Sequence, residues 1–255
     1  MAGLRPARRA RRGALRVVVA ARLDAPRYAV FEQARGGSAR SRNLGPVLLA
    51  FDTATPQVTV ALHDGDRVVA EYTAAESMRH GEMLAPGIAE VLARAGALAQ
   101  DVTAIAVGVG PGPFTGLRVG LVTARTMAMA LDIPVYGVCS LDVLAAEAVD
   151  GGLTDFLVAT DARRKEVYVA SYAEGWRASG PEVVKPADAA TDAIVVGRGA
   201  TLYPESFPNA HGPEAPSAAV LCDVVVRERY ELLDPEPLYL RRPDTMEPHQ
   251  PKKVS

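Results

Sequence analysis

The stretch GVGPGPFTGLRVG, Gly108–Gly120, decides how the rest of the chain is read. It follows the apolar alternation Ile105, Val107, Val109 and precedes a run of helical period that ends near Leu131. A glycine-rich turn between a strand and a helix lets backbone N–H groups approach an anion, and the positive end of the helix favours it. No G-K-[ST] follows, so this is not a Walker loop, and it does not follow a first strand as a dinucleotide fingerprint would. Pro111 and Pro113 each remove an N–H donor from any cradle. Two readings of Gly110, Gly112, Thr115 and Gly116 are therefore open: a phosphate-type loop, or a stiff bend that aims a helix.

On either side of this loop, strand and helix signals succeed one another. VLLAFDTA predicts a buried strand ending in a polar turn at 52–56. QVTVALH and RVVAEYT alternate about HDGD, which with the first strand predicts an antiparallel meander. Leu84, Ile88, Val91, Leu92 and Ala95 mark one helical face, with Pro86 at its first turn or at a bend. TAIAVGVG predicts a fourth strand, followed by a helix over about 116–131 capped by Thr115. IPVYGV predicts a fifth strand, and Ser140 is expected to cap a helix reaching Val149. GG at 151–152 marks a seam. DFLVAT and EVYVASY then predict a hairpin across DARRK, followed by AIVVG and a helix from Ser217. Three antiparallel strands followed by helix, strand, helix, strand, helix is the half-unit of the actin-like ATPase fold (ASKHA, ribonuclease H-like). The expectation is an α/β protein of two lobes, the second reduced, divided as 1–46 leader, 47–150 first lobe, 151–242 second lobe and 243–255 tail.

Composition narrows the function classes. Hydrophobic residues make up 49% of the 255, with few aromatics, which points to a core of Val, Ala and Leu. No apolar run approaches the ~18 residues of a membrane span. Cys139 and Cys222 each sit in apolar stretches, as buried thiols of a reducing compartment do, so the cytoplasm is expected. The net charge of −2 hides an asymmetry: residues 1–46 hold eleven Arg against Asp24 and Glu32, a balance of +9, and the remainder is at −11. A nucleic-acid surface on so acidic a body has to be local. The Arg-rich leader has no sustained period and reads as disordered. Its apolar centre, Val17 to Ala21, is shorter than the ~7–15 residues of a signal-peptide core. It is read as a dispensable leader, with the true start near 44–47.

Candidate chemistry is sparse. Asp52, Thr53 and Thr55 occupy the first turn, where an actin-like enzyme meets phosphate or Mg²⁺; the alternative is a turn whose side chains satisfy its own backbone. Of His63, His80, His211 and His249, no two lie within a helical turn, so no metal site is expected. Cys139 and Ser140 have no candidate base nearby in sequence, so no catalytic residue is assigned. Arg163, Arg164 and Lys165 in DARRK are either an RNA or phosphate contact or a solvated turn. Gly120, Ala124 and Ala128 recur every fourth residue, a small-residue stripe that either admits a partner helix or packs on this protein's own sheet.

FDTATPQVTVAL, RHGEMLAPGI, GVGPGPFTGLRVG, DARRKEVYVASY and PLYLRRP, in this order, resemble the TsaB (YeaZ) family over about 47–242. The family is the non-catalytic member of the bacterial machinery that makes threonylcarbamoyladenosine in tRNA. The resemblance implies a scaffold for a TsaD-type transferase, working with a TsaE-type ATPase and meeting tRNA through the complex. ATP, Mg²⁺ and the active-site metal are then expected on the partner subunits and no cofactor on this chain. Where TsaD carries the metal-binding histidines of GVNHLEGH, this chain has GVCSLDVL, with Ser140 and Leu144 at those places. That departure speaks against the alternative of a metal-dependent peptidase, and the bulky DARRK turn against an ATP-binding enzyme of the fold. The resemblance also favours a partner interface on the first-half helices, at His80, Leu84, Gly120, Ala124 and Ala128. The same surface would form a homodimer when the partner is absent. Intact-mass measurement on protein from its own host is expected to show a chain beginning near residues 44–47; a mass that starts at Met1 contradicts the leader reading.

Overall fold

The computed structural model describes residues 45–74 and 79–241. Residues 1–44 of the leader and the tail from 243 lie outside the described residues. The chain forms two five-stranded sheets of the same design. In the first, β1 (Leu48–Asp52) pairs antiparallel with β2 (Val58–His63), which pairs antiparallel with β3 (Val68–Ala74). After α1 (His80–Arg94), β4 (Ala104–Gly108) adds parallel to β1; after α2 (Phe114–Leu131), β5 (Val135–Val138) adds parallel to β4. The order is β3-β2-β1-β4-β5.

After α3 (Ser140–Asp150), the second sheet repeats that order. Its strands are β6 (Phe156–Asp161), β7 (Val167–Ala173), β8 (Trp176–Val184), β9 (Val195–Val196) and β10 (Ala210–His211), arranged β10-β9-β6-β7-β8. The reduction lies in the helices. A 3-10 turn, Pro186–Ala189, stands where the first lobe has α1, and the five-residue α4 (Arg198–Leu202) where it has the eighteen-residue α2. The last helix, α5 (Ala218–Val226), is capped by Ser217, whose hydroxyl accepts from the Val220 N–H. Strand β8 was not expected from the sequence, because its polar, half-exposed residues lack apolar alternation.

The core explains the strand composition. β1 is buried on both faces, as a central strand covered by helices must be. Leu49 and Phe51 face the α1–α2 side with Leu84, Ile88, Leu117, Leu121 and Ala124. Leu48 and Ala50 face a central layer shared by both sheets, with Leu141, Leu144, Leu221 and Val225. In that layer the helices are exchanged: α3 packs on β6, β7 and β9 of the second sheet, while α5 packs on β1 and β2 of the first.

Three expectations are corrected. α2 begins at Phe114, not Gly116, and Pro113 stands at its cap with extended backbone, so Thr115 lies exposed inside the first turn and caps nothing. Ser140 is the first residue of α3 and makes no capping bond; its hydroxyl goes elsewhere. The small-residue stripe faces inward. Gly120, Ala124 and Ala128 are all buried, a Cβ on Gly120 would stand 2.4 Å from the Thr53 hydroxyl, and His80 and Leu84 are buried too. Small side chains are needed here because α2 lies against the chain's own first turn and sheet. Ala124 is 0% exposed, so Ala124→Arg is expected to destabilise the fold by more than about 3 kcal/mol, measured by urea unfolding. A soluble variant with the wild-type midpoint would place residue 124 outside the core.

Candidate functional site

The first turn and the glycine loop meet. Asp52 ends β1 in full burial; its Oδ1 accepts from the Ala54 N–H at 2.7 Å and its Oδ2 from the Ser140 hydroxyl at 2.6 Å. Burial pushes its carboxyl above the ordinary 3.8, against the opposing pull of Ser140, the Ala54 N–H and His80. The Thr53 hydroxyl donates to the Gly116 carbonyl at 2.8 Å. His80 Nε2 lies 2.7 Å from the Thr55 carbonyl, which can only accept, so that nitrogen carries the proton and clamps the turn. The Ser140 N–H donates to the Gly110 carbonyl at 2.7 Å, tying the loop to the start of α3.

The loop glycines answer to close approach. A Cβ on Gly108 would stand 1.8 Å from Asp52 Oδ2, one on Gly112 2.2 Å from the Ala54 carbonyl, and one on Gly116 2.5 Å from the Thr53 carbonyl. The structure thus brings Asp52 and Thr53 together with Gly110, Gly112 and Gly116, but with carbonyl oxygens against the glycines. A phosphate on that side would meet like charge. Thr115 is not part of the cluster and is exposed. Nucleophilic chemistry has little support here: burial pushes the Cys139 thiol up to about 12, and Ser140 is buried with its hydroxyl committed to Asp52. Leu144 is a core residue at 0% exposure. Among the described residues, no three His, Cys, Asp or Glu side chains converge as a metal site would require.

The second turn, DARRK, is built by strain. Arg163, Arg164 and Lys165 have φ of 61°, 55° and 62°, three successive left-handed residues without a glycine, at a cost of about 1–2 kcal/mol each. The Arg163 N–H donates to Asp161 Oδ1 at 2.8 Å, and the Glu166 N–H closes the turn on the Arg163 carbonyl. All three cations are exposed. Between the two turns lies an open cleft lined by Thr55, Gln57, Thr160, Asp161, Arg198 and Glu214; the three cations do not line it. Gly197 and Gly199, on its far side, press against the Ala159 carbonyl of β6.

Two features escaped the sequence reading. Asp142, on α3, is buried; the Tyr172 hydroxyl donates to its Oδ1 at 2.7 Å and Arg177 of β8 stands 3.5 Å from its Oδ2. Burial raises its carboxyl despite both partners. The Glu174–Gly175 turn, left-handed at both residues, was the signal that could have revealed β8 and with it Arg177. The second feature is the outward face of α1 and α2: Ala85, Pro86, Ala89 and Ala93 on one, Phe114, Arg118, Val122, Arg125 and Met129 on the other, all exposed.

Comparison with known proteins agrees on one family. The family model for TsaD, tRNA N6-adenosine threonylcarbamoyltransferase, matches residues 67–207, more than half of the chain. An uncharacterized protein of Mycobacterium tuberculosis is 42% identical over 205 residues, 77% of this chain and 92% of that protein. The tRNA threonylcarbamoyladenosine biosynthesis protein TsaB of Bacillus subtilis is 38% identical over 127 residues, 49% of this chain and 54% of that protein. This chain therefore aligns with about half the length of that relative. A solved structure from Pseudomonas aeruginosa, described as an uncharacterized protein similar to the peptidase YeaZ, superposes with a TM-score of 0.65. It is 31% identical, covering 77% of this chain and all of that one.

The buried Asp52 has a measurable consequence. A carboxyl raised in the folded state contributes stability that is present below 3.8 and lost as pH rises through the folded value. Asp52→Asn removes that titration. Relative to wild type the variant is expected to gain stability as pH rises above about 4 in chemical denaturation. A variant that loses ground over that range would mean that the Ser140 and Ala54 bonds outweigh burial.

Proposed function

The chain belongs to the TsaB (YeaZ) family, and on that premise we propose that it acts in the biosynthesis of threonylcarbamoyladenosine in tRNA as a cytoplasmic scaffold subunit without catalysis of its own. It pairs with a TsaD-type transferase and works with a TsaE-type ATPase, meeting tRNA through the complex. ATP, Mg²⁺ and the active-site metal belong to those partners. The docking surface is the outward face of α1 and α2, opposite to the buried stripe that the sequence suggested.

The observation that carries this reading is the exposure of Val122 and Met129, 60% and 81%, on a helix whose other face is fully packed. Thr115, Arg118, Val122, Arg125 and Met129 follow at intervals of three and four, the spacing of a helix-packing seam. Ala85, Ala89 and Ala93 beside it allow a partner helix to approach to about 8–10 Å. Two helices from a partner of the same fold would complete a four-helix arrangement. The same face would pair two copies of this chain when no partner is present.

Met129→Arg, with Val122→Arg as a second variant, is expected to keep the wild-type unfolding midpoint and lose co-elution with the TsaD-type subunit. Adding the wild-type chain to TsaD- and TsaE-type partners is expected to restore tRNA modification, read by mass spectrometry of tRNA nucleosides. Modification by the isolated chain would overturn the scaffold role, and co-elution of both arginine variants would overturn the face.

A further inference from the structure

The segment from Leu233 to Arg241 lies across both lobes. Leu233 exchanges two backbone bonds with Gly137 of β5, each at 2.8 Å, and the Leu238 N–H donates to the Val109 carbonyl at 2.9 Å. Gly137 has no room for a side chain there: a Cβ would stand 2.6 Å from the Asp234 carbonyl. Leu233 and Leu238 also pack against the apolar clusters on both sides of the first sheet. Between and beyond these anchors the segment reaches outward. Glu236 pairs with Arg125 of α2. The Tyr239 ring stacks on Phe114 at 5.4 Å, the Arg118 guanidinium covers the Phe114 ring at 3.6 Å, and Arg118 Nε donates to the Tyr239 hydroxyl at 3.1 Å. Two residues later, Arg241 Nη1 donates to the Ala162 carbonyl at 3.0 Å and the same guanidinium pairs with Glu166.

We propose that residues 233–241 form a tether that couples the outward face of α2 to the β6–β7 turn, with Arg241 as the positioning residue for the strained Arg163–Lys165 run. A succession of left-handed residues persists only where its surroundings over-determine it. Among the surroundings here are the Asp161 carboxylate on one side and Arg241 on the other. Tyr239 and Arg241 are two residues apart, so a displacement of the ring on Phe114 is passed to the guanidinium with little slack. A turn held in this way responds to small changes in what holds it, and the tether is one of those holds. The tether rests on contacts within the chain; only its use by a docked partner rests on the function proposed above.

Amide exchange on the full chain tests it. Arg241→Ala is expected to speed exchange at Ala162 and Glu166, whose N–H groups close the turn, by about tenfold or more while the β6–β7 ladder keeps its protection. Glu166→Gln, which removes the pair from the other side, should do the same. The decisive variant is remote: Glu236→Ala combined with Tyr239→Ala is expected to speed the same two amides. If the remote variant leaves Ala162 and Glu166 at wild-type rates, the segment transmits nothing and the proposal falls; it falls equally if Arg241→Ala and Glu166→Gln leave them unchanged. With the TsaD-type subunit bound, the two amides are expected to change rate. Binding without such a change overturns the coupling, whereas absence of binding overturns the docking reading and leaves the tether to be judged by the variants.

Discussion

Backbone cannot lie against backbone unless the Cβ atoms between them are absent, and the fold hangs on one such contact. The loop from Gly108 to Gly120 is pressed onto the turn from Asp52 to Thr55, with Gly108, Gly112, Gly116 and Gly120 each standing where a side chain would collide. That contact buries Asp52, and a buried carboxylate needs donors. The Ser140 hydroxyl and the Ala54 N–H supply them, so the start of α3 is fixed against the end of β1. It also fixes the direction of α2, which leaves the loop with its small residues inward and its larger ones outward. The glycines of this loop serve close packing.

The two lobes are joined by exchange. Because α3 lies on the second sheet and α5 on the first, the lobes cannot part without exposing Leu141, Leu144, Leu221 and Cys222, all at 0%. Within this apolar layer sits one charged tie, Asp142 with Tyr172 and Arg177. A buried ion pair recovers its desolvation only when every partner is well placed, so it adds little to stability. Here it links α3 to β7 and β8 of the second sheet. Tyr172 also stacks on Phe156 and meets Tyr230 edge-on, which holds its hydroxyl on Asp142.

Most of the first lobe was legible because its signals are local. Alternation in β2 and β3, the turn at HDGD, and the 3.6-residue period of α1 require only neighbours in sequence. What stayed hidden depends on contacts across the chain. A stripe of Gly120, Ala124 and Ala128 looks the same whether it meets a partner or its own sheet, and only Thr53, more than sixty residues away, decides it. Ser140 has every mark of a cap until Asp52 takes its hydroxyl. β8 was missed since Arg177, Ser179 and Glu182 give it a polar surface, and its register follows from pairing with β7 rather than from its own pattern. The tether was quoted only as a closing motif, because nothing in PLYLRRP says that Tyr239 meets Phe114.

A helix that packs so closely on one side constrains what its other side can do. Successive residues of an α-helix turn by about 100°, so Gly116, Gly120, Ala124 and Ala128 share one face, and Arg118, Val122, Arg125 and Met129 another. Inward positions tolerate no added volume, and outward positions are free to vary without touching the core. Selection for a partner can therefore act on one face of α2 while the fold is kept by the other. The tether adds a limit to that freedom. Phe114, Arg118 and Arg125 are outward residues already engaged by Tyr239 and Glu236, whereas Val122 and Met129 are exposed apolar residues of the same face. A helix seated along the whole of α2 must share Phe114 and Arg118 with Tyr239 or displace it, and either way the occupant of this face meets the segment that ends at the cationic turn.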